Sequence, residues 1–200
     1  MATTGSAKAL TPQESAACLF CLEQDRKGRH YLRNYLLFLL MLDAGLRVGE
    51  VVKLRLYDFV AGNAMADSLR IRENVAKCGI ERIVPLTKRL KAAILSFYRE
   101  ELENCHDSGR YAFASSASAS GHLSTRQVEK FVGRVSAVAL GREITPHQLR
   151  HTFADRAAAV CQPHVVQELL GHKNLSSTQV YVNANSQQCR AAIDEMQRRS

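Results

Sequence analysis

The sequence predicts an α+β fold, mostly helical with a small three-stranded antiparallel sheet, and two observations lead to this prediction. Helix start signals and apolar residues at helical spacing occur through residues 10–54, and they return from residue 90 to the C-terminus. Between residues 54 and 86 the pattern changes to the alternation that is typical of strands. A chain of 200 residues with 46% hydrophobic residues can bury the core of one sizeable domain.

The first two helices are clearly marked. Thr11-Pro12-Gln13-Glu14 supplies a capping Thr, a Pro at the first helical position and a Glu that completes a capping box, so a helix should run to about residue 24. A second helix covers about residues 30–44, and its strongly apolar sequence predicts burial on most sides. Gly45 fits the end of this helix, and a third helix begins near Val48.

Three segments between the helical regions have strand character, and they cover residues 56–60, 68–75 and 80–86. In the second segment apolar and polar residues alternate, with one interruption at Glu73. The sequence A-K-C-G at 76–79 separates the last two segments and is typical of a hairpin turn. Lys77 is therefore predicted at the tip of the sheet.

The remainder of the chain is predicted to be helical, apart from polar breaks and an exposed small-residue loop at 114–121. The helices are expected at about residues 90–103, 124–140, 145 onward, 163–171, 176–181 and 186–199. The last one carries Cys189, Ile193 and Met196 on one stripe. That stripe could pack on the chain's own core or on a neighbouring protomer.

Charge and hydropathy narrow the class of protein. The formal net charge of +8 and the pI near 9.4 suit a polyanion, DNA or RNA first, although an ordinary basic soluble protein has the same balance. No apolar run approaches the roughly 18 uncharged residues of a membrane span. The N-terminus, M-A-T-T-G-S-A-K-A-L, has no apolar signal core. We therefore expect a cytoplasmic protein without a membrane partner.

The six cysteines and the missing motifs exclude several kinds of site. Cys18 and Cys21 form a lone C-x-x-C without the further ligands of a zinc site, so buried reduced thiols are favoured over a redox pair. The chain has no D-x-D or D-x-E pair, no H-E-x-x-H and no G-x-x-x-x-G-K-[ST] loop. These absences disfavour a two-metal nuclease and a nucleoside-triphosphatase.

The candidate site lies mainly in two segments of the last third, T-P-H-Q-L-R-H at 145–151 and L-G-H-K-N-L-S-S-T-Q-V-Y at 170–181. They bring His147, Arg150, His172 and Tyr181 into a short span of sequence. Phosphodiester chemistry without a metal needs such a set: a nucleophile, proton-transfer groups and guanidinium groups on the non-bridging oxygens.

Two further cations extend this set. Arg47 lies at a helix start, where an anion would meet a guanidinium and backbone N–H groups, and Glu50 lies three residues on and could orient it. A surface salt bridge between Arg47 and Glu50 is the equally open alternative. Lys77 on its hairpin could reach into a groove, or it could be an ordinary solvated turn lysine.

Four motifs, taken in order, resemble those of the tyrosine recombinases, also called phage-type integrases. A-G-L-R-V-G-E-V-V-K-L at 44–54 is similar to the first arginine box, and A-K-C-G-I-E-R-I-V-P-L at 76–86 to the lysine hairpin. T-P-H-Q-L-R-H-T-F-A is similar to the H-x-x-R box, and L-G-H-K-N-L-S-S-T-Q-V-Y to the histidine box with the nucleophilic tyrosine. The resemblance covers nearly all of residues 10–185.

The resemblance implies a role for each matched residue. Tyr181 would attack a DNA phosphodiester and form a 3′-phosphotyrosyl link, while Arg47 and Arg150 would bind the non-bridging oxygens. The remaining matched residues would assist: Lys77 as general acid, His147 as the base toward the tyrosine, His172 on the scissile phosphate, and Glu50 and His151 in support. No metal, ATP or other cofactor is implied.

The family also implies a domain organisation and partners. Residues 1–9 would be a flexible tail or linker remnant, 10–185 the catalytic domain, and 186–200 a C-terminal helix exchanged between protomers. The chain would be either an excised catalytic domain or a naturally short member. The expected partners are double-stranded DNA and an accessory DNA-bending protein. The chain is expected to form a homotetramer on paired DNA sites and to be associated with the nucleoid.

The sequence departs from the family pattern at Ala76 and Cys78, where Gly is frequent, and at Asn183, where His is frequent. None of these is a predicted catalytic position. Two other functions stay open on the sequence: a type IB topoisomerase-like nicking and closing enzyme, and a catalytically silent DNA-binding module of the same fold.

Overall fold

The computed structural model describes residues 8–28, 30–61, 64–76, 81–104, 109–116, 118, 120–171 and 186–199. Within these residues the chain is mostly helical with small antiparallel sheets, which confirms the predicted α+β class. The helices are α1 (Pro12–Gln24), α2 (Tyr31–Leu42), α3 (Val48–Val51), α4 (Lys88–Asn104), α5 (Thr125–Leu140), α6 (Pro146–Ala158), α7 (Pro163–Leu170) and α8 (Ser186–Arg198). The strands are β1 (Val60–Ala61), β2 (Ala64–Met65), β3 (Ser68–Ile71) and β4 (Arg82–Pro85).

The apolar helix α2 is the centre of the core. Every side chain from Leu36 to Leu42 is at most 1% exposed, as its uninterrupted apolar sequence predicted. Helices α1, α4, α5 and α6 pack around it. Burying one such side chain stabilises the fold by about 1.5–3 kcal/mol. Packing of the other helices around α2 is therefore strongly favourable.

The strand region differs from the three-stranded sheet that the sequence predicted. The described strands form two separate two-stranded antiparallel sheets, β1 with β2 and β3 with β4. Residues 56–59, predicted as part of a strand, form a 3-10 helix instead. The Asp58 carboxylate accepts the Arg55 N–H at 2.8 Å and closes this turn, and Leu56 and Phe59 are both buried. Their spacing of three residues suits the period of a 3-10 helix.

The β3–β4 hairpin is the part of the sheet region that matters for the site. Leu69 lies opposite Val84, and Ile71 lies opposite Arg82. Strand β3 ends earlier than predicted, because residues 72–76 turn: the N–H groups of Val75 and Ala76 both donate to the Arg72 carbonyl. The predicted hairpin tip with Lys77, like the predicted helix at 176–181, lies outside the described residues.

The C-terminal helix α8 packs within its own chain. The stripe of Cys189, Ile193 and Met196 is at most 3% exposed, and α8 lies against α6, α7 and β4. Exchange of this helix between protomers on DNA stays a prediction. In the described part of the chain, no helix has the length and apolar character that crossing a membrane requires.

Cys18 on α1 agrees with the interpretation of a buried thiol. It is 0% exposed, and burial raises its pKa to about 11, which keeps the thiol protonated and unreactive at neutral pH. Cys21 is a free cysteine one helical turn away.

Replacing Gly45 with alanine should destabilise the chain, because Gly45 has φ +62° and an added Cβ would lie 2.3 Å from Cδ1 of Phe153. The left-handed backbone conformation costs a non-glycine residue about 1–2 kcal/mol, and overpacking adds about 1–3 kcal/mol. Gly49→Ala is the matched control, since nothing lies within 4 Å of its Cβ position. Urea unfolding measures both; equal midpoints for the two variants would contradict the prediction.

Candidate active site

The structure describes the predicted site residues of the two arginine boxes, and it brings them together. Arg47 and Glu50 come from the loop before α3 and from α3 itself, and His147 and Arg150 come from the start of α6. The other predicted catalytic residues, Lys77, His172 and Tyr181, lie outside the described residues.

Local sequence explains how α6 presents its two residues. Thr145 caps the helix by accepting the Gln148 N–H, and Pro146 occupies the first helical position. His147 and Arg150 are three residues apart and therefore lie on the same side of α6. His147 is exposed, whereas Arg150 is only 6% exposed and points its guanidinium into the protein.

Arg47 and Glu50 are joined through both backbone and side chain. Glu50 Oε2 accepts the Arg47 backbone N–H at 2.8 Å, which is the acidic half of a capping box at the start of α3. Glu50 Oε1 accepts from Arg47 Nη1 at 3.2 Å. The Arg47 side chain is 22% exposed and that of Glu50 only 1%. The pair is thus partly buried, and Arg47 is the partner that reaches solvent.

Arg82 on β4 is the site residue that the sequence did not reveal. Its Nη1 and Nη2 donate to the two oxygens of Glu50 at 3.0 and 2.7 Å, and both side chains are 1% exposed. Glu50 therefore accepts four hydrogen bonds, as many as a carboxylate can. The available signal was alternation: Arg82 faces inward on β4 with Val84, and Ile83 faces out.

Three arginines converge on the last carbonyl groups of α7. Arg82 Nε donates to the Leu169 carbonyl at 3.0 Å. The Leu170 carbonyl accepts from Arg150 Nη2 at 2.8 Å and from Arg47 Nη1 at 3.4 Å. The last carbonyls of a helix have no intrahelical donor and carry partial negative charge, so guanidinium groups suit this position.

Two glycines lie next to these arginines: Gly171 leaves room for Arg82, and Gly45 accepts a hydrogen bond from Arg150 through its carbonyl. Gly171 ends α7 with φ +63°, and a Cβ there would lie 2.9 Å from Cδ of Arg82. The carbonyl of Gly45, the other glycine with a positive φ beside the site, accepts from Arg150 Nη1. Arg150 thus connects the loop before α3 with the end of α7.

A cleft of about 520 Å³ opens beside these residues. Its lining combines side chains from α3, α5, α6 and the turn after β3: Arg47, Val48, Gly49, Glu50, Lys53, Val75, Thr125, Glu129, Pro146, His147 and Arg150. The two arginine boxes, which are about 100 residues apart in the sequence, therefore face one solvent-accessible space.

The electrostatics of the cluster leave it positive. Burial alone would raise the pKa of Glu50, but the hydrogen bonds and charge of Arg82, the Arg47 N–H and the charge of Arg150 together hold that pKa below its usual value. Glu50 is therefore ionised at neutral pH. Three arginines and one carboxylate give a net charge of +3 − 1 = +2 around the Leu170 carbonyl.

His151, predicted as a supporting residue, points to a different partner. Its Nδ1 lies 3.1 Å from Oδ1 of Asp155, one turn further along α6. Among the described residues, no three His, Cys, Asp or Glu side chains are grouped to hold a metal ion.

The stability of the chain should depend on the ionisation of Glu50. Because the pKa of Glu50 is lower in the folded chain than its ordinary value of 4.5, its ionisation stabilises the fold fully above about pH 4.5. This contribution is lost as the pH falls through the lowered pKa. Glu50→Gln leaves Arg82 without its charge partner and should cost about 3–5 kcal/mol at pH 7.

The measurement is the free energy of unfolding of both proteins from pH 7 to pH 3. The difference between wild type and Glu50→Gln should shrink below about pH 4.5. Glu195→Gln is the control: the pKa of Glu195 is lowered too, by Arg199 and Arg198, but these arginines are largely exposed, so their ion pairs should contribute little to stability at any pH. A difference that is constant with pH would show that the charge of Glu50 does not stabilise the fold.

Comparison with known proteins shows the family to which this chain is similar. The family model described as Phage integrase family matches residues 9–188. Tyrosine recombinase XerA of Pyrococcus horikoshii is 34% identical over 169 residues, which cover 82% of this chain and 55% of the relative. Tyrosine recombinase XerD of Lacticaseibacillus casei is 32% identical over 161 residues, covering 78% and 52%. The chain spans about half the length of these curated relatives.

Solved structures share the fold at lower identity. A crystal structure of XerA recombinase covers 100% of this chain and 65% of its own, with a TM-score of 0.67 and 22% identity. XerH site-specific recombinase bound to difH substrate, in a pre-cleavage complex, covers 84% of this chain and 47% of its own, with a TM-score of 0.64 and 24% identity. With a family match over nearly its whole length and relatives above 30% identity, the chain belongs to the phage integrase family of tyrosine recombinases.

Proposed function

We propose that this chain is the catalytic domain of a site-specific DNA recombinase, with residues 10–185 forming the domain and Tyr181 as its nucleophile. The observation that carries the proposal is the meeting of Arg47 and Arg150 on the Leu170 carbonyl, at the edge of a cleft that His147 also lines. Two guanidinium groups and an imidazole in one open space suit a phosphodiester.

Arg47 and Arg150 would bind the non-bridging oxygens of the scissile phosphate. Each planar guanidinium can donate to two oxygens, and both side chains are already oriented by contacts with the protein. Charge that develops on the phosphate in the transition state would therefore meet donors that need little rearrangement. His147, exposed on the same side of α6, would accept the proton of the attacking phenol.

The chain order supports a position for His172 and Tyr181 at the same phosphate. Helix α7 ends at Leu170, whose carbonyl joins the two arginines, and His172 follows only two residues later. Tyr181 is nine residues further along the chain. A free tyrosine has a pKa near 10, and the net positive charge beside it would favour the attacking phenolate.

The β3–β4 hairpin supports the proposed role of Lys77 as general acid. Val75, two residues before Lys77, lines the cleft. Arg82, the first residue of β4 after the hairpin turn, donates to Glu50, which also accepts from Arg47. A lysine on this connection would be within reach of the leaving 5′-oxygen.

Double-stranded DNA is the proposed substrate, cleaved and rejoined by a homotetramer on paired sites, with an accessory DNA-bending protein as a further partner. The XerH relative is a site-specific recombinase bound to its difH substrate, and the net charge of +8 on this chain suits the same polyanion. The 3′-phosphotyrosyl link conserves the bond energy, so neither a metal nor ATP is needed. The same proposal puts the protein in the cytoplasm, on the nucleoid.

Replacing Tyr181 with phenylalanine should abolish covalent DNA adducts while leaving DNA binding intact, because the ring stays and only the nucleophilic oxygen is lost. The probe is a pool of nicked suicide duplexes with randomised sequence, incubated in EDTA, and adducts are read on a denaturing gel. Sequencing the trapped duplexes also identifies the site. Tyr57→Phe is the control, since Tyr57 is exposed and lies beside Arg72, away from the cleft. An adduct with Tyr181→Phe would require another nucleophile.

Replacing Lys77 with alanine should slow cleavage of a normal strand by about 10²–10⁴-fold, the usual contribution of a general acid. A strand with a 5′-thio leaving group needs less protonation, so the same variant should cleave it nearly as fast as wild type does. Lys53→Ala is the matched control, because Lys53 lines the cleft and the substitution removes the same positive charge without removing the proposed acid. Equal slowing of both strands by Lys77→Ala would exclude Lys77 as the acid.

A further inference from the structure

The side chain of Arg82 is as deeply buried as that of Glu50, yet none of the proposed chemical steps uses it. The side chain is 1% exposed and touches Glu50 and the Leu169 carbonyl. Burying a guanidinium is costly unless its donors are paired, so this position needs a reason. The reason lies in what Arg82 does to Glu50, and through Glu50 to Arg47.

Glu50 lies between two arginines that share its oxygens. Oε1 accepts from Arg47 Nη1 at 3.2 Å and from Arg82 Nη1 at 3.0 Å. Oε2 accepts from the Arg47 backbone N–H at 2.8 Å and from Arg82 Nη2 at 2.7 Å. Arg82 makes the shorter side-chain contacts with both oxygens, and it is the only one of the two that donates to both with its side chain.

This division of Glu50 leaves Arg47 available. Arg47 uses one side-chain nitrogen, Nη1, for its contacts with Glu50 and the Leu170 carbonyl, and its side chain is 22% exposed toward the cleft. Without Arg82, the buried carboxylate would have Arg47 as its nearest counter-charge. A two-pronged Arg47–Glu50 pair would then withdraw Arg47 from any phosphate.

Loss of Arg82 would also make the site less positive, which would weaken its attraction for a phosphate. Arg47, Arg82, Arg150 and Glu50 sum to +2, and loss of Arg82 leaves +1. Removing Arg82 and the charge of Glu50 together restores +2, because Arg47 and Arg150 then remain. The effect of Arg82 on a bound phosphate can therefore be separated from its effect on packing.

We propose that Arg82 is a positioning residue for strand cleavage: it occupies both oxygens of Glu50, so that Arg47 keeps side-chain donors available for the DNA phosphate. This inference rests on the proposed recombinase function. Arg82 also donates to the Leu169 carbonyl, one residue before the Leu170 carbonyl to which Arg47 and Arg150 donate. It thereby fixes the end of α7, and the absence of a side chain at Gly171 leaves room for it.

The test compares Arg82→Met, Glu50→Gln/Arg82→Met and Arg82→Lys with wild type. Single-turnover adduct formation on the suicide duplex identified with wild type gives the cleavage rate, and equilibrium binding to the intact duplex gives the DNA affinity. All assays run below the unfolding temperature of each variant. Arg82→Met should cleave about 100-fold more slowly, since Arg47 is misplaced, while DNA affinity changes little because most phosphate contacts remain.

The double variant distinguishes positioning from simple support of the fold. Glu50→Gln/Arg82→Met should cleave about tenfold faster than Arg82→Met, because it removes the charge that captures Arg47. If Arg82 only supported the fold, the cleavage rates of the variants would follow their unfolding midpoints, because removing both partners of a buried pair also relieves the unpaired charge. Rates that follow the midpoints, or a double variant as slow as Arg82→Met, overturn the proposal. If Arg82→Met does not fold, Arg82→Lys decides: it loses the two-pronged contact with Glu50 but keeps the charge, so it should cleave about tenfold more slowly than wild type. A larger loss there overturns the charge argument.

Arg89→Met is the matched control for stability. Arg89 makes a similar two-pronged contact with a buried carboxylate, that of Asp43, and its described contacts do not include Glu50 or the end of α7. It should lower the unfolding midpoint with little effect on cleavage, because Asp43 keeps Arg156 as its ion-pair partner and continues to anchor the loop that carries Arg47. Equal slowing by Arg89→Met and Arg82→Met would assign the effect to lost stability. Failure of wild type itself to form an adduct would instead overturn the recombinase proposal.

Discussion

A carboxylate that is 1% exposed has to find its counter-charges inside the protein, and Glu50 finds them on separate elements. Arg82 comes from β4, and the Arg47 N–H and side chain come from the loop before α3. Because an unpaired buried charge would be prohibitive, these elements can pack only in the arrangement that brings their donors to Glu50. The hairpin that leads to the predicted Lys77 is thereby tied to the first arginine box, although the two are distant in sequence.

The end of α7 completes this arrangement through ordinary helix chemistry. A helix leaves its last carbonyls without donors, and here Leu169 and Leu170 take theirs from Arg82, Arg47 and Arg150. The guanidinium groups are therefore already oriented by the protein, and binding of the proposed DNA phosphate would not have to order them. The same contacts explain why residue 171 is a glycine. A Cβ there would lie only 2.9 Å from Cδ of Arg82.

Local rules predicted the elements well, and long-range pairing set the limits of prediction. The capping boxes at Thr11 and Thr145 start their helices where the sequence indicated, because each signal lies within four residues. The strand prediction for residues 56–60 was wrong for residues 56–59, because the apolar pattern there fits either a strand or a 3-10 helix. The hydrogen bond from the Arg55 N–H to Asp58 favours the 3-10 helix. Arg82 was missed because its reason for burial, Glu50, lies 32 residues away.

Asp43 shows why the position of Arg47 is so well defined. Asp43 ends the central helix region and is paired with Arg89 and Arg156, while Glu50 closes the other side of the same loop. Between them, the Gly45 carbonyl accepts from Arg150. Helix α6 therefore contacts this loop at two points, through Arg156 and Arg150. A loop fixed at both ends by buried carboxylates has little freedom, so the guanidinium that emerges from it can be aimed at a phosphate by the fold itself.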